Sequence, residues 1–300
     1  MKNKRESTIS SLQLLYNRRE EYRKETFNCS KIALDILRTY SNLKDNDVLT
    51  GFNDFDNQFR GFNFGELVIV GGRPGMGKTA FLISLAFNIS TNLPILYFSY
   101  DRSTSQMIMR MLLMLSGVKE LSVFDKKMQI DQHLKILPAF DELKKYNIHI
   151  NSNYKITLDE FKGEIKRYVE EFGVKVVFLD YLQLADSMVK GEKSDIKKQK
   201  LFSKIIRDIA DELNVLFIVT NQLKKTTDPD NNHIPTLESI DYADIVELSD
   251  KVILLYRPVY YGYGDIDNDI MELIIAKNEQ GLLGSAKVRF DGITSRIHTF

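Results

Sequence analysis

One glycine-rich segment dominates the sequence: Gly72-Arg73-Pro74-Gly75-Met76-Gly77-Lys78-Thr79. It fits the pattern G-x-x-x-x-G-K-S/T, follows the apolar run at residues 67–70 and precedes a helical apolar pattern. Glycines at these positions let successive backbone N–H groups curl around a phosphate, and the N-terminus of the next helix adds partial positive charge. The segment therefore predicts a nucleotide-phosphate loop between a strand and a helix.

The residue types around this loop predict ATP and Mg²⁺ as cofactors. Lys78 is expected to reach the β- and γ-phosphates, and the Thr79 hydroxyl to ligate Mg²⁺. Asp180 ends the apolar run 174–179, which places its carboxylate beside the metal, acting through a water molecule. The predicted nucleotide-binding residues are Gly72, Arg73, Pro74, Gly75, Met76, Gly77, Lys78, Thr79 and Ala80.

Two other strand-like runs also lead to polar residues. Residues 95–99 lead to Asp101, whose carboxylate is predicted to orient the attacking water. Residues 215–220 lead to Gln222, whose amide is predicted to sense the γ-phosphate. The alternative for both residues is an ordinary polar side chain at the end of a strand.

Apolar runs separated by helical patterns fill the chain from Leu49 onward. The helical patterns cover residues 158–172 and 201–213, and Thr157 with Glu160 predicts a capping box. Strands buried on both faces that alternate with helices predict an α/β fold, with a mostly parallel central sheet flanked by helices. Because the last three runs lie close together, we expect an antiparallel C-terminal edge. The runs are residues 67–70, 95–98, 174–179, 215–219, 252–256, 273–276 and 286–290.

The composition limits the class of protein. The 300 residues include 41 Lys+Arg against 41 Asp+Glu, so nucleic-acid contact requires a local basic patch. A single cysteine excludes an intrachain disulfide, and no Cys/His cluster has the spacing of zinc ligands. No apolar run reaches about 18 residues and no secretory signal is visible, so we expect a cytoplasmic protein with no membrane partner.

The first 47 residues differ from the rest of the chain. They contain a basic cluster and two short patterns of narrow apolar faces, which predict an N-terminal helical arm or linker. The alternative is a solvated extension. We therefore expect two units, an arm over residues 1–47 and an ATPase domain over residues 48–300.

Several motifs together resemble the C-terminal motor domain of the DnaB family of replicative helicases, which has a RecA-like P-loop NTPase fold. The most specific are the Arg-Pro pair inside the phosphate loop and the string Asp180-Tyr-Leu-Gln-Leu184. The others are the strings at residues 50–56, 72–80, 109–112, 209–215, 221–223 and 256–257, with the closing Lys277, Gly281 and Gly284.

The resemblance implies a hexameric ring that encircles single-stranded DNA and hydrolyses NTP at subunit interfaces. It implies that Lys78, Thr79 and Asp180 hold the nucleotide and metal, and that Gln222 is the sensor. It also implies that Lys277 reaches across the interface to the γ-phosphate of a neighbouring subunit.

This sequence departs from the family pattern at the positions expected to drive hydrolysis. The catalytic glutamate position holds Asp101, one methylene shorter, and an error of about an ångström in the position of the water can cost about a hundredfold in rate. The arginine-finger position, two residues after Lys277, holds Glu279. Since an arginine finger contributes about 10³–10⁵ in rate, we expect weak ATPase activity.

Two more departures concern the family's N-terminal domain and DNA. The 47-residue arm is too short for the family's globular N-terminal domain, and the loop at residues 238–241 is acidic where the family has an arginine. A basic stretch elsewhere predicts contact with DNA in spite of that acidic loop. The alternative interpretation of this stretch is a solvated helix face. The predicted DNA-binding residues are Lys190, Lys193, Lys197, Lys198, Lys200, Lys224 and Lys225.

The leading hypothesis is a DnaB-like replicative helicase ATPase that couples ATP hydrolysis to binding and translocation on single-stranded DNA. The first alternative is a catalytically weak DnaB paralogue, a nucleotide-binding partner or regulator of a helicase ring. The second alternative is a RecA-like recombination or signalling ATPase. A cluster of tyrosines at residues 256, 260, 261 and 263 is interpreted either as a nucleobase platform or as packing.

Overall fold

The computed structural model describes residues 48–119, 130–153, 156–180, 188–189, 194–224, 233–240, 243–265, 269–279 and 281–300. The predicted arm and the predicted DNA-binding residues Lys190, Lys193 and Lys225 lie outside this part of the chain. The helices are α1 (Asn53–Phe59), α2 (Lys78–Ser90), α3 (Thr104–Ser116), α4 (Ile130–Leu143), α5 (Leu158–Phe172), α6 (Asp195–Leu213) and α7 (Ala243–Leu248). The strands are β1 (Leu67–Gly72), β2 (Ile95–Ser99), β3 (Ile148–Asn151), β4 (Val176–Asp180), β5 (Leu216–Gln222), β6 (Lys251–Tyr256), β7 (Ile270–Asn278), β8 (Gly284–Phe290) and β9 (Ile297–Thr299).

The strands form one sheet in the order β3-β2-β4-β5-β1-β6-β7-β8-β9. Neighbours from β3 to β6 are parallel, whereas β6–β7, β7–β8 and β8–β9 are antiparallel. This arrangement confirms the predicted mostly parallel sheet with an antiparallel C-terminal edge. Strands β3 and β9 were not predicted, because they are three or four residues long and largely half-buried or exposed at the two edges of the sheet.

Helices cover both faces of the sheet. Alternate strand residues enter two separate cores: Val68 and Val70 of β1 lie on one face, and Leu67 and Ile69 on the other. Apolar residues of α2 and α3 fill the first core, and those of α5 and α6 fill the second. Burial on both faces explains why β1, β2, β4 and β6 read as continuous apolar runs.

Capping explains where two of these helices begin. Thr157 and Glu160 form the predicted capping box at the start of α5, and Ser103 with Gln106 forms another at the start of α3. Helix α5 is followed by Gly173, which has φ of 68° and supplies the left-handed conformation that most residues avoid. Within the described ranges, no helix is long and apolar enough to cross a membrane.

Candidate nucleotide-binding site

The glycine-rich loop joins the carboxyl end of β1 to the first turn of α2. Gly75 has φ of +80° and Gly77 has φ of +91°, both in the region that favours glycine. A Cβ atom on Gly77 would lie 3.1 Å from a ring atom of Phe290, and one on Gly75 would lie 2.8 Å from the Tyr260 ring. Backbone conformation therefore favours glycine at both positions, and the neighbouring rings leave little room for a side chain.

Lys78 lies at the start of α2 and folds back over this loop. Its Nζ donates hydrogen bonds to the carbonyl oxygens of Gly72 at 2.7 Å and Arg73 at 3.2 Å. Burial lowers the pKa of Lys78 to about 8, against the opposing effect of the nearby carboxylates of Asp180 and Asp101. The ammonium thus contacts the phosphate loop, and the charges of both acidic residues that the sequence singled out act on it.

Asp180 is held in one orientation at the end of β4. It is 3% exposed, and it accepts hydrogen bonds from the Thr220 hydroxyl at 2.7 Å and the Tyr97 hydroxyl at 3.2 Å. Burial, followed by the charge of Asp180, raises the pKa of Tyr97 well above its ordinary value, so Tyr97 stays a donor. Sequence reasoning missed Tyr97 and Thr220, because their roles depend on β4 lying between β2 and β5.

The other predicted residues of this site lie at the same, carboxyl ends of the parallel strands. Asp101 is exposed just beyond β2, and Gln222 is exposed at the end of β5, opposite Gly72 in register. The structure brings them to one edge because the carboxyl ends of parallel strands coincide. Thr79 is half-buried in the first turn of α2, next to the buried Ala80. The roles of these residues stay predictions.

Lys277 lies at the opposite end of the strands, where the parallel strands begin. It pairs with Val252 near the start of β6, so within one chain it does not approach the phosphate loop. Its Nζ donates to the carbonyl oxygens of Val246 at 2.9 Å and Glu247 at 3.1 Å, and to that of Ser249. A 2.9 Å ion pair also joins it to the neighbouring carboxylate of Glu279. The predicted role of Lys277 concerns a neighbouring subunit and stays a prediction.

Aromatic residues pack against Arg73 and Gly75 of the phosphate loop. The Arg73 guanidinium donates to the Tyr261 hydroxyl at 2.8 Å and to the His233 carbonyl oxygen at 2.9 Å. The rings of His233 and Tyr261 stack with centroids 4.4 Å apart. Tyr256 is 5% exposed, whereas Tyr260 is 52% exposed against Gly75. Packing thus accounts for Tyr256 and Tyr261, and Tyr260 presents the more exposed ring.

Four of the predicted DNA-binding lysines fall in the part of the chain that the structure describes, and they lie near the carboxyl ends of the parallel strands. Lys197, Lys198 and Lys200 occupy the first two turns of α6, which runs back from β4 to β5, and Lys224 follows β5. Lys197 and Lys224 are exposed, and Lys198 is half-buried. The ammonium of Lys200 is 2.8 Å from the Asp244 carboxylate, so part of its charge is already compensated.

The donor set around Lys78 fits a phosphate-bound magnesium ion. The described residues contain no group of three or more His, Cys, Asp or Glu side chains able to hold a metal by themselves. Mg²⁺ in nucleotide sites is commonly held by one or two protein oxygens together with phosphates and water. Thr79 and Asp180, beside a loop shaped for phosphate, match this requirement.

Comparisons with known proteins identify related chains. The replicative DNA helicase DnaB of Geobacillus stearothermophilus is 28% identical over 266 residues, covering 85% of this chain and 59% of the relative. The replicative DNA helicase DnaC of Bacillus subtilis (strain 168) is 28% identical over 281 residues, covering 89% of this chain and 62% of the relative. The chain thus spans about three fifths of the length of these relatives.

Solved structures share the fold. A solved ATPase domain superposes with a TM-score of 0.80 at 22% identity, covering 92% of this chain and all of that one. The structure of a DnaB-like replicative helicase, described with its interactions with primase, gives a TM-score of 0.81 at 21% identity, covering 99% of this chain and 77% of that one. The predicted RecA-like ATPase fold is confirmed.

The model of the DnaB-like helicase C-terminal domain family matches residues 47–299, nearly all of the part of the chain that the structure describes. The resemblance inferred from the motifs is therefore confirmed. The chain belongs to the family of DnaB-like helicase C-terminal domains.

Proposed function

We propose that this chain is the ATP-hydrolysing motor part of a DnaB-like replicative helicase in the cytoplasm. Residues 48–300 form its RecA-like ATPase domain, and residues 1–47 act as an arm or linker. The motor binds ATP and Mg²⁺, assembles into a hexameric ring and translocates on single-stranded DNA. The observation that carries this proposal is the contact of the Lys78 ammonium with the phosphate loop, at the end of the strands where Asp180 also lies.

Each residue of the site has a distinct role in hydrolysis. Lys78 moves its hydrogen bonds from the loop carbonyls to phosphate oxygens. Asp180, oriented by Tyr97 and Thr220, would hold the metal through a water molecule. Magnesium, when bound, neutralises charge on the phosphate oxygens. Asp101 orients the attacking water, and Gln222 senses the γ-phosphate. A bond forms between the water oxygen and the γ-phosphorus as the bond to the leaving ADP oxygen breaks, and the inorganic phosphate takes up the proton that the water loses.

The experiment is an ATPase assay with and without single-stranded DNA, run beside a mass measurement of the assembly. We expect Mg²⁺-dependent hydrolysis stimulated by DNA, and a mass that corresponds to a multimer. Asp180→Asn removes the charge while keeping the shape, and it should lower turnover by at least about a hundredfold. Asp141→Asn, on exposed α4, is the matched control. Hydrolysis unchanged in Asp180→Asn would refute the proposed site.

A second candidate function is a catalytically weak partner or regulator of a helicase ring. The observation that favours it is the engagement of Lys277 and Glu279 with each other and of Lys277 with the end of α7. A carboxylate at the position where a ring would need positive charge opposes transition-state stabilisation. A protein that binds ATP without DNA-stimulated turnover, and joins a ring formed by another helicase, would favour this candidate over the motor.

A further inference from the structure

Arg73 connects the phosphate loop to two other segments of the chain. It directly follows Gly72, the last residue of β1, and it is 7% exposed. Its Nη1 atom donates to the hydroxyl of Tyr261, which lies beyond β6, at 2.8 Å. The same atom donates at 2.9 Å to the carbonyl oxygen of His233, which lies between β5 and α7. The guanidinium therefore anchors the loop to both segments.

The two anchors of Arg73 are themselves held by packing. The rings of His233 and Tyr261 stack with an interplanar angle of 18°, and the edge of Tyr260 meets the Tyr261 ring at a centroid distance of 5.3 Å. His233 has φ of +61°, a conformation that residues other than glycine keep only where their surroundings fix it. Anchors fixed in this way present the Tyr261 hydroxyl and the His233 carbonyl oxygen in defined positions.

The backbone of Arg73 closes the turn of the phosphate loop. Its carbonyl oxygen accepts from the Met76 N–H at 3.2 Å and from the Lys78 ammonium at 3.2 Å. A rotation of Arg73 would therefore disturb both the turn and the position of Lys78. Because a loop held in its binding shape loses little conformational freedom when a ligand arrives, the anchors of Arg73 favour tight nucleotide binding.

We propose that Arg73 is a positioning residue, whose side chain holds the phosphate loop in its nucleotide-binding shape through Tyr261 and His233. This inference rests on the proposed ATPase function. The sequence predicted Arg73 as a nucleotide-binding residue. Its backbone keeps that role, whereas its guanidinium acts through the two anchors and not on a phosphate group.

The first test measures ADP affinity by calorimetry with Mg²⁺ present. Arg73→Met should weaken ADP binding by at least about fivefold, because the loop must then be ordered as the nucleotide binds. Tyr261→Phe keeps the ring and removes the hydroxyl acceptor, and it should weaken ADP binding by at least about threefold. Arg73→Lys keeps the charge without the planar guanidinium and should lie between Arg73→Met and the natural protein.

Two further measurements separate positioning from the other roles that Arg73 could have. The double variant Arg73→Met with Tyr261→Phe should bind ADP no more than about twofold more weakly than Arg73→Met, since Tyr261 acts through Arg73. In steady-state assays both single variants should raise KM for ATP and keep kcat within about twofold, because the anchors act equally on the bound substrate and the transition state.

Unchanged ADP affinity in Tyr261→Phe would overturn the inference, since it is the result expected if the guanidinium contacts phosphate directly. A lower temperature of thermal unfolding with unchanged ADP affinity in the folded variants would also overturn it, because the bonds would then serve stability alone. Tyr261→Phe keeps the inference falsifiable even if Arg73→Met does not fold.

The matched controls are Arg167→Met and Tyr168→Phe, an arginine and a tyrosine in contact on α5, where the guanidinium carbon lies 4.4 Å from the ring centroid. Neither change should alter ADP affinity or KM. A natural protein that binds neither ADP nor ATP would overturn both this inference and the proposed function. A natural protein that binds ADP as tightly as Arg73→Met and Tyr261→Phe would overturn this inference alone.

Discussion

The two ends of the parallel strands both carry charged side chains but use them differently. At the amino end, the Lys251 ammonium donates to both oxygens of the Glu66 carboxylate at 2.7 Å, and both side chains are 4% exposed. At the carboxyl end, Lys78 donates to carbonyl oxygens of the loop, although Asp101 and Asp180 act on its charge. Lys251 and Glu66 thus satisfy each other's charge. Lys78, Asp101 and Asp180 lie instead at the end of the strands that carries the phosphate loop.

A second closed network lies at the amino end. The Arg207 guanidinium donates to the Asp211 carboxylate, to the Asp250 carboxylate and to the Gly65 carbonyl oxygen. Asp250 also accepts from the Leu67 N–H at 2.7 Å, at the start of β1. Removing one partner of a buried ion pair is strongly destabilising, whereas titratable groups with perturbed pKa values cluster at functional sites. We therefore expect a structural role for the charges at the amino end and a catalytic role for those at the carboxyl end.

The largest effect is expected from breaking the closed pair. Lys251→Met leaves the buried Glu66 carboxylate without its cation and should lower the free energy of unfolding by about 3–5 kcal/mol in urea titrations. Nucleotide affinity of the folded protein should stay unchanged. The double variant Glu66→Gln with Lys251→Met should recover much of the loss. A single variant as stable as the natural protein would show that this edge does not hold the fold.

The next largest effect is expected on nucleotide binding, from Lys78 at the carboxyl ends of the parallel strands. Lys78→Ala removes the charge opposite the β- and γ-phosphates and should abolish ATP–Mg²⁺ binding in calorimetry, a loss of at least about a hundredfold. Thermal unfolding without nucleotide should be retained. Lys144→Ala, an exposed lysine on the loop after α4, is the control. Unchanged nucleotide binding would refute the phosphate-loop assignment.

Glu279→Arg tests the proposed ring interface. It replaces a carboxylate by the charge that an arginine finger supplies, so hydrolysis should rise by at least about tenfold in a steady-state assay. Glu170→Arg on α5 makes the same change of charge away from β7 and β8 and should have no effect. Rapid DNA-stimulated ATP turnover in the natural protein would contradict the premise that the position of Glu279 lacks a needed positive charge.

The pH dependence of nucleotide binding follows from the pKa of Lys78, which is about 8 in the folded protein. The ammonium is the form that binds phosphate, so affinity is present below pH 8 and declines above it. The affinity measured by calorimetry should fall by up to about tenfold between pH 7 and pH 9. Lys78→Arg keeps its charge over this range and should give a flat profile. An equal decline in both proteins would exclude Lys78 as the cause.

The smallest effect concerns DNA. Changing Lys197, Lys198 and Lys200 to Ala should weaken single-strand binding and make its dependence on the logarithm of salt concentration shallower, by up to about 0.7 for each DNA phosphate that is no longer neutralised. Lys200 should contribute least, since it already pairs with Asp244. Changing Lys144, Lys145 and Lys166 to Ala is the matched control. An unaltered slope would indicate a solvated helix face.

The sequence predicted the strands in the middle of the sheet because burial on both faces makes them continuously apolar. It missed β3 and β9, which are short and whose residues are largely half-buried or exposed. It predicted Lys78 from the spacing of the glycine-rich motif and Asp180 from its place at the end of an apolar run. It did not identify Tyr97 or Thr220, since a hydrogen bond between strands depends on strand order and register.

The sequence by itself determined the family, the phosphate loop and the alternation of strands with helices, because each is encoded in spacing along a short segment. Only the tertiary structure decided which distant residues meet. It joined Asp180 to Tyr97 and Thr220, and it engaged Lys277 with the end of α7. These contacts link residues far apart in the chain, and local pattern carries no information about them.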